Sequence, residues 1–535
     1  MKKRQSEYKP LLFTTTLRSP ERLKWFLGVL KNYNGQILTN SLAKEIAGEI
    51  IRIGLYQPMN LSASVKNKIK AKEPLTDNEI ARILNSNPQN HKEAGFDKGW
   101  PSRFDTWFKI AKELGFVYYK NGEKIRFSEI GLKLVDTEHP EFEQQAFLNA
   151  FVKYQSNSPF RRVLNENAPL ILLLGVIKKL DSDKDLNGAG ISKLELPLVI
   201  FWKNNDSGEL YQLIKKIRTE HGYNPSWEVI VDICVNQIMG GDFKKFNPKS
   251  IMVDYPDEFI RKMRLTGLIS LRGGGRFVDI NKNEQQKVNY ALKNYSDYKK
   301  YTTEEEYFEY MAMIDENLIS FTGKSVSIHE RDKFLSKWVS IYPWDRIKSE
   351  MIILAKKRLT KDNILKYLSN PIRLEFLVAL AVKYKFPSVR VMPNYPYDDE
   401  GLPTSTAAGV GDKGDIECYE DINGILIEVT MSEGRTQTIM EVWPITRHLE
   451  EFSKNSKNSM CYFVAPSIFK DSKRQIEYVK EKDKLYILPK TIEEFFGQTF
   501  KKQMYDLPKS INEVLDVVHL TAPLDRKINK FSGGQ

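Results

Sequence analysis

The chain has 535 residues, enough for about three to four domains at ~100–200 residues each. Hydrophobic residues make up 41% and charged residues 28%, a globular composition that excludes a wholly disordered or fibrous chain. Lysine and arginine number 81 against 69 acids, and the resulting charge of +12 leans toward a polyanionic partner. Three scattered cysteines (Cys234, Cys418, Cys461) and six histidines without HxxxH or HxH spacing argue against a disulfide framework or a zinc site.

Met1–Lys9 is charged, and Leu11-Leu12-Phe13 is too short for the apolar region of a signal peptide. The longest apolar run, Ala168 to Ile177, is about half a membrane span and is closed by Lys178-Lys179. No GxxxxGK[ST] motif is present, so a P-loop motor is not expected. The expectation is a reducing, cytoplasmic, soluble protein with no membrane partner.

In chain order, Arg103 to Leu114 has helical spacing, with Phe104, Trp107, Phe108, Ala111 and Leu114 on one face. Gly115 stops it, and Phe116–Tyr119 and Ile125–Phe127 flank Lys120-Asn-Gly-Glu-Lys124, a hairpin signal, before a helix over Glu129 to Val135. A similar unit follows: helix Asp257 to Leu265, stop at Gly267, strands Leu268–Leu271 and Phe277–Ile280 around a Gly273-Gly-Gly275 tip, and a helix over about Glu284 to Leu292. Helix, glycine stop, hairpin, helix is the order of winged-helix DNA readers. The tip cations Lys120, Lys124, Arg272 and Arg276 admit two readings, solvation of an exposed turn or contact with phosphates. Arg103, Lys109 and Lys112 are the candidates for base contact, provided their helix enters a major groove. Residues 293–370 read as a tyrosine-rich helical linker, with Thr302-Thr303-Glu-Glu-Glu306 as a capped helix start.

After Pro371 helices alternate with short strands, an α/β pattern. Ile372 to Lys385 reads as a helix and Val389–Met392 as a strand; Asp415–Tyr419 and Ile425–Thr430 read as a hairpin turning at Asn423-Gly424. The helix that follows, about Thr436 to Phe452, is expected to kink or restart at Pro444. Alternation puts Asp415, Glu417 and Glu428 on one face of the sheet. Carboxylates that close repel unless a cation lies between them, and with no histidine or cysteine set nearby a hard ion such as Mg²⁺ suits them. The pattern, an aspartate, twelve intervening residues, then Glu428-Val429-Thr430, fits metal-dependent phosphodiester hydrolysis. An exposed polar strand face accounts for the spacing equally well.

Thr406-Ala-Ala-Gly409, Gly414-Asp415, Glu428-Val429-Thr430, Thr436-Gln437, Met440-Glu441 and Pro444-Ile-Thr-Arg-His448, with Arg18-Ser19-Pro20-Glu21 near the start, together resemble the AlwI-type restriction endonucleases. That family includes type IIS enzymes and related nicking endonucleases. The resemblance implies that Asp415 and Glu428 bind metal, that Glu441 and Glu375 are further active-site acids, and that threonine stands at position 430 where most PD-(D/E)xK nucleases carry lysine. Lys413 or Arg435 are alternative sources of charge, and His448 is expected to serve structure or phosphate contact rather than act as a base.

The expected architecture is a multidomain α+β chain. Residues 1–155 and 156–292 form two winged-helix-like recognition subdomains, 293–370 a helical linker, and 371–535 a PD-(D/E)xK-like catalytic domain. The expected function is site-specific cleavage of double-stranded DNA at a fixed distance from a short asymmetric sequence, Mg²⁺-dependent and ATP-independent. Cutting both strands would need a transient homodimer, a small second subunit or a second event. A cognate DNA methyltransferase and a bacterial cytoplasm complete the expectation. A strand-specific nicking subunit, a non-cleaving DNA-binding regulator and a junction nuclease are the alternatives.

Overall fold

The computed structural model describes residues 7–13, 20–71, 73, 75–136, 142–186, 188, 190–240, 247–324, 326–407, 413–420, 423–434, 437–438 and 441–496. The chain divides into two compact units, Met1–Ser325 and Val326–Gln535.

The first unit is mostly helical. Its central helix, Trp100–Glu113, follows Gly99 at φ 112° and begins with proline in its first turn. Trp100, Phe104, Trp107 and Phe108 are all buried, and Trp107 packs edge-on against Phe26 with ring centroids 5.4 Å apart. Gly115 ends the helix at φ 76°; a Cβ there would lie 2.6 Å from Met311, so glycine serves both the reversal and the close approach. Strands β1 (Val117–Tyr118) and β2 (Arg126–Phe127) then pair antiparallel, and helix Glu129–Leu134 starts on a Ser128 cap.

The second hairpin repeats this order. A short strand β3 (Ile191–Ser192) precedes helix Tyr255–Arg264, which leads into β4 (Ile269–Arg272) and β5 (Phe277–Ile280), with strand order β3-β5-β4. The tip Gly273-Gly274-Gly275 takes positive φ throughout. In both copies an upstream segment lies antiparallel against the second arm of the hairpin: Ile37 opposite Lys124 in one, Ile191 opposite Val278 in the other. The apolar run 168–177 is the start of helix Pro169–Ser182, buried on nearly every side. Among the described residues no helix is long and apolar enough to cross a membrane.

The expected 293–370 linker is divided between the units. Helix Glu304–Ala312, capped by Thr303, buries Tyr307, Phe308 and Met311 within the first unit. Helices Ile328–Ile341 and Trp344–Ala355 belong to the second, where Trp338 Nε1 donates to the Glu400 carbonyl and Tyr342 to Asp362. Their buried tryptophan and tyrosine need partners that only the second unit's core supplies, which is why this stretch does not stand alone as a spacer. The expected 1–155 and 156–292 subdomains fall within one unit.

In the second unit helix Asn370–Lys385, buried from Arg373 to Val382, underlies a five-stranded mixed sheet of order β10-β9-β8-β7-β6. Strands β6 (Arg390–Pro393), β7 (Ile416–Glu420) and β8 (Asn423–Val429) are antiparallel neighbours; β9 (Lys457–Ala465) and β10 (Ile487–Thr491) run parallel to β8. Parallel pairing requires crossovers, and helices Val442–Asn455 and Lys470–Asp483 provide them. They cover one face with a core of Leu426, Ile445, Leu449, Phe452, Phe463 and Ile476 among others. Gln437 and Thr438 are helical, Glu441 is a turn, and the helix restarts at Val442 as expected, with Pro444 in the first turn of the restarted helix, where proline is tolerated.

Candidate active site

The β7–β8 hairpin differs from expectation in one respect that matters. Its pairing runs Glu420 to Asn423 and Ile416 to Ile427, so Asn423 and Gly424 are paired strand residues and not the turn. Gly424 is a strand residue without positive φ; a Cβ there would stand 2.6 Å from the Phe452 ring and 2.7 Å from Ser456 Oγ. Close packing of the crossover helix, not a turn, demands glycine at this position. The shift is even, so every side chain keeps its predicted face, and Asp415 comes one step beyond the Ile416–Ile427 pair, opposite Glu428. The Val429 N–H donates to Asp415 Oδ2 at 2.8 Å and ties the two strands there.

Four acids converge on the carboxyl end of β8. Glu375 on the underlying helix and Glu428 are 3% and 5% exposed, while Asp415 and Glu441 keep partly exposed edges. Burial, then the charges of Glu428 and Glu375, push the Asp415 carboxyl well above the ordinary range; the Val429 N–H opposes this and Glu441 adds to it. Burial also raises Glu375, against the Ala407 N–H (2.9 Å) and with Glu428. Glu441, the N-terminal residue of the crossover helix, is raised by burial and by Glu428, against a 2.8 Å bond donated by the Thr430 hydroxyl. Glu428 is thus the charge felt by all three.

Among the described residues none of the four forms an ion pair with lysine or arginine. A basic neighbour is His448, whose Nδ1 lies 2.9 Å from Glu428 Oε1. Among the described residues Asp415 Oδ1 and Glu428 Oε2 take no protein donor, so each carboxylate leaves an oxygen available. Oxygen donors of this kind, crowded and uncompensated, are what a hard divalent cation binds. Among the described residues no group of three or more acidic, histidine or cysteine side chains is arranged as a metal cage. The donor set therefore fits an ion held by two carboxylates and completed by water or ligand.

Glu417 shares the face but turns away from the cluster, accepting from Asn394 Nδ2 at 3.2 Å and from the Tyr419 hydroxyl at 2.8 Å. Thr430, where lysine is usual, spends its hydroxyl on Glu441. Lys413 is exposed; Arg18, Ser19, Ala408, Gly409, Arg435, Thr436 and Met440 lie outside the described residues. The contact between His448 and Glu428 went unread in the sequence. The signal was present: Glu441, Ile445 and His448 recur at i, i+4 and i+7 on one face of the helix.

The candidate DNA-contacting cations are differently placed. Helices Trp100–Glu113 and Tyr255–Arg264 have no fully exposed residue. Arg103 stacks over Tyr56 and Trp107 and meets His91 Nε2 at 2.7 Å. Lys112 pairs with Glu304 at 2.9 Å and lies over the rings of Tyr118 and Phe160; Lys109 is half-buried. Among the tip cations, Arg272 is bound by Asp279 and Lys120 pairs with Glu123, whereas Lys124 and Arg276 are exposed.

The model of the AlwI restriction endonuclease family matches residues 112–336 and 338–497, spanning both units and all four acids. The chain belongs to the AlwI restriction endonuclease family. Membership makes it a site-specific DNA endonuclease in broad class. The small subunit (R.BspD6I2) of the heterodimeric restriction endonuclease R.BspD6I is 22% identical over 32% of this chain and 86% of its own, with a TM-score of 0.26. FokI is 12% identical over 96% of this chain and 98% of its own (TM-score 0.24), and DNA-bound FokI is 12% identical over 93% and 96% (TM-score 0.22). TM-scores this low do not establish a shared fold. No curated protein sequence matches this AlwI-family chain significantly.

Proposed function

We propose that this chain is a Mg²⁺-dependent, ATP-independent type IIS endonuclease, which reads a short asymmetric duplex sequence with its first unit and cuts at a fixed distance with its second. One observation carries the catalytic half: four carboxylates share a buried site, and among the described residues no lysine or arginine is paired to them. The Asp415, Glu428 and Thr430 pattern on adjacent strands supports a PD-(D/E)xK-like domain with threonine in place of the usual lysine. Mg²⁺ is commonly held by one or two carboxylates plus waters and substrate phosphates, and Asp415 and Glu428 are the pair that would hold it. When bound, it would lower the pKa of water and stabilise charge on the scissile phosphate.

The protein's own groups divide the remaining work. His448 fixes the rotation of the Glu428 carboxylate, and the Val429 N–H fixes that of Asp415. Glu441, aligned by Thr430 and partly exposed, accepts the proton of the attacking water. Glu375, pinned by the Ala407 N–H, supplies a further carboxyl at the floor of the site. In the reading unit the two helix–hairpin–helix segments, one with an upstream residue bridged to its second arm and the other with a short third strand there, support a winged-helix-like construction in which Lys124 and Arg276 meet phosphates. One such cluster cuts one strand, so the second strand needs another copy, a small subunit or a second event. A protective methyltransferase in the same bacterial cytoplasm would be the accompanying activity.

Plasmid incubated with the protein and Mg²⁺, without ATP, should be nicked or linearised at defined sites, and EDTA should stop this. Asp415→Ala and Glu428→Ala should abolish cutting while retaining DNA binding. Binding without cutting in the parent protein would make it a regulator, and preference for flaps or crossovers over intact duplex would make it a junction nuclease. Sequencing the ends of a digest gives the site, the offset and the number of strands cut.

A further inference from the structure

We infer that the segment Gln57–Asn67 of the first unit, and not the enclosed helix Trp100–Glu113, is the surface that reads base edges in duplex DNA; this rests on the endonuclease reading above. The segment is fixed from below. Tyr56 packs against Trp107 (ring centroids 5.1 Å) with the Arg103 guanidinium 5.1 Å over its ring, so the arginine expected to read DNA instead supports the loop. Pro58, Leu61 and Val65 are buried. The buried Asn87 amide clamps both backbone groups of Asn60: Oδ1 accepts its N–H at 3.0 Å and Nδ2 donates to its carbonyl at 2.8 Å. Ser62 caps the first turn of helix Ala63–Ala71 by accepting the Val65 N–H.

Above this anchored backbone the side chains point outward. Met59 is 92% exposed, and Gln57, Asn60, Ser64, Lys66 and Asn67 are exposed, their side chains with no protein partner among the described residues. Amide and hydroxyl groups of this kind, held on a rigid backbone, are the chemistry that distinguishes base edges in a major groove. Lys66 adds an exposed cation to this face, which suits a polyanion, whereas Arg52 is paired with Glu49 and Asp77 and Lys68 with Glu79. Helix Trp100–Glu113 offers the opposite situation, a central core element with Arg103 and Lys112 already engaged.

The test uses the full chain and a duplex carrying the site that end-sequencing of the parent digest identifies. Asn60→Ala and Asn67→Ala should each lower kcat/KM at that site by about tenfold or more and relax base choice among the sequenced ends. Lys66→Ala should weaken binding to cognate and unrelated duplexes alike, and lower the log–log salt slope by about one. Melting temperatures should stay at the parent value, because these side chains have no partner to lose. If all three variants cut the parent site with parental rate and selectivity, the placement is wrong while the endonuclease reading stands. A parent protein that neither binds nor cuts any duplex would overturn both.

Discussion

Gly414→Ala probes how tightly the site is assembled. A Cβ on Gly414 would lie 2.2 Å from Glu428 Oε1 and 2.6 Å from Leu426 Cδ1, whereas real contacts stay beyond 3.0 Å. Gly414 is not in the left-handed region, so alanine adds no backbone strain. The softest response is for the Glu428 carboxylate to retreat by roughly 1 Å, a misplacement that costs about 10²-fold in rate. The same movement pulls Oε1 from His448, the partner that holds its rotation. Overpacking of this size costs about 1–3 kcal/mol, so the fold should survive with a lowered melting temperature. The assay is single-turnover plasmid cleavage in saturating Mg²⁺, with gel-shift binding and thermal melting as companions. Cleavage should fall about a hundredfold with DNA binding unchanged. Cutting within threefold of the parent rate would refute the claim that Glu428 works in the position described.

The pH dependence of the metal-free protein follows from the raised carboxyls. Asp415, Glu375 and Glu441 have folded pKa values above their unfolded ones, so the fold holds these protons more tightly than the unfolded chain. Their contribution is most favourable below the ordinary carboxylate range and is lost as pH rises from there through the raised values. Asp415→Asn should therefore raise the melting temperature in EDTA near neutral pH and flatten its decline from about pH 5 to 8; a decline identical to the parent's would contradict this. Lys112→Ala should lower the melting temperature, since it removes the Glu304 partner and ring contacts, while leaving the salt slope of DNA binding in place. Arg276→Ala should do the reverse, lowering the slope by about one without a stability change if the hairpin tip meets phosphate. Titrations of binding against salt, beside thermal melts, separate the two.

Much of the second unit was legible because a sheet converts sequence spacing into faces. Asp415 and Glu428 were placed on one side by alternation alone, and this survived a misassigned turn because the correction was even. What Asn423-Gly424 could not reveal is that glycine answers to Phe452, almost thirty residues away, so a local turn signal was overridden by packing. Glu375 was accessible only through the family pattern: on helix Asn370–Lys385, buried along ten consecutive residues, its periodicity marks no distinct face. The cations of Trp100–Glu113 were misleading for a similar reason. Their spacing describes a polar stripe, but Glu304 and the rings of Tyr118 and Phe160 come from elsewhere in the chain to cover Lys112. The clamp of Asn87 on Asn60 spans 27 residues and carries no local signature at all.

The most direct measurement is the thermal shift produced by Mg²⁺ alone, without DNA, on the parent and on Glu428→Gln. An ion held between Asp415 and Glu428 stabilises the folded parent by mass action, about 2.7 kcal/mol when present at a hundred times its Kd. The parent melting temperature should rise with Mg²⁺ in a saturable way and that of Glu428→Gln should stay flat. Equal shifts in both proteins would mean that the buried carboxylates are not where the divalent ion binds.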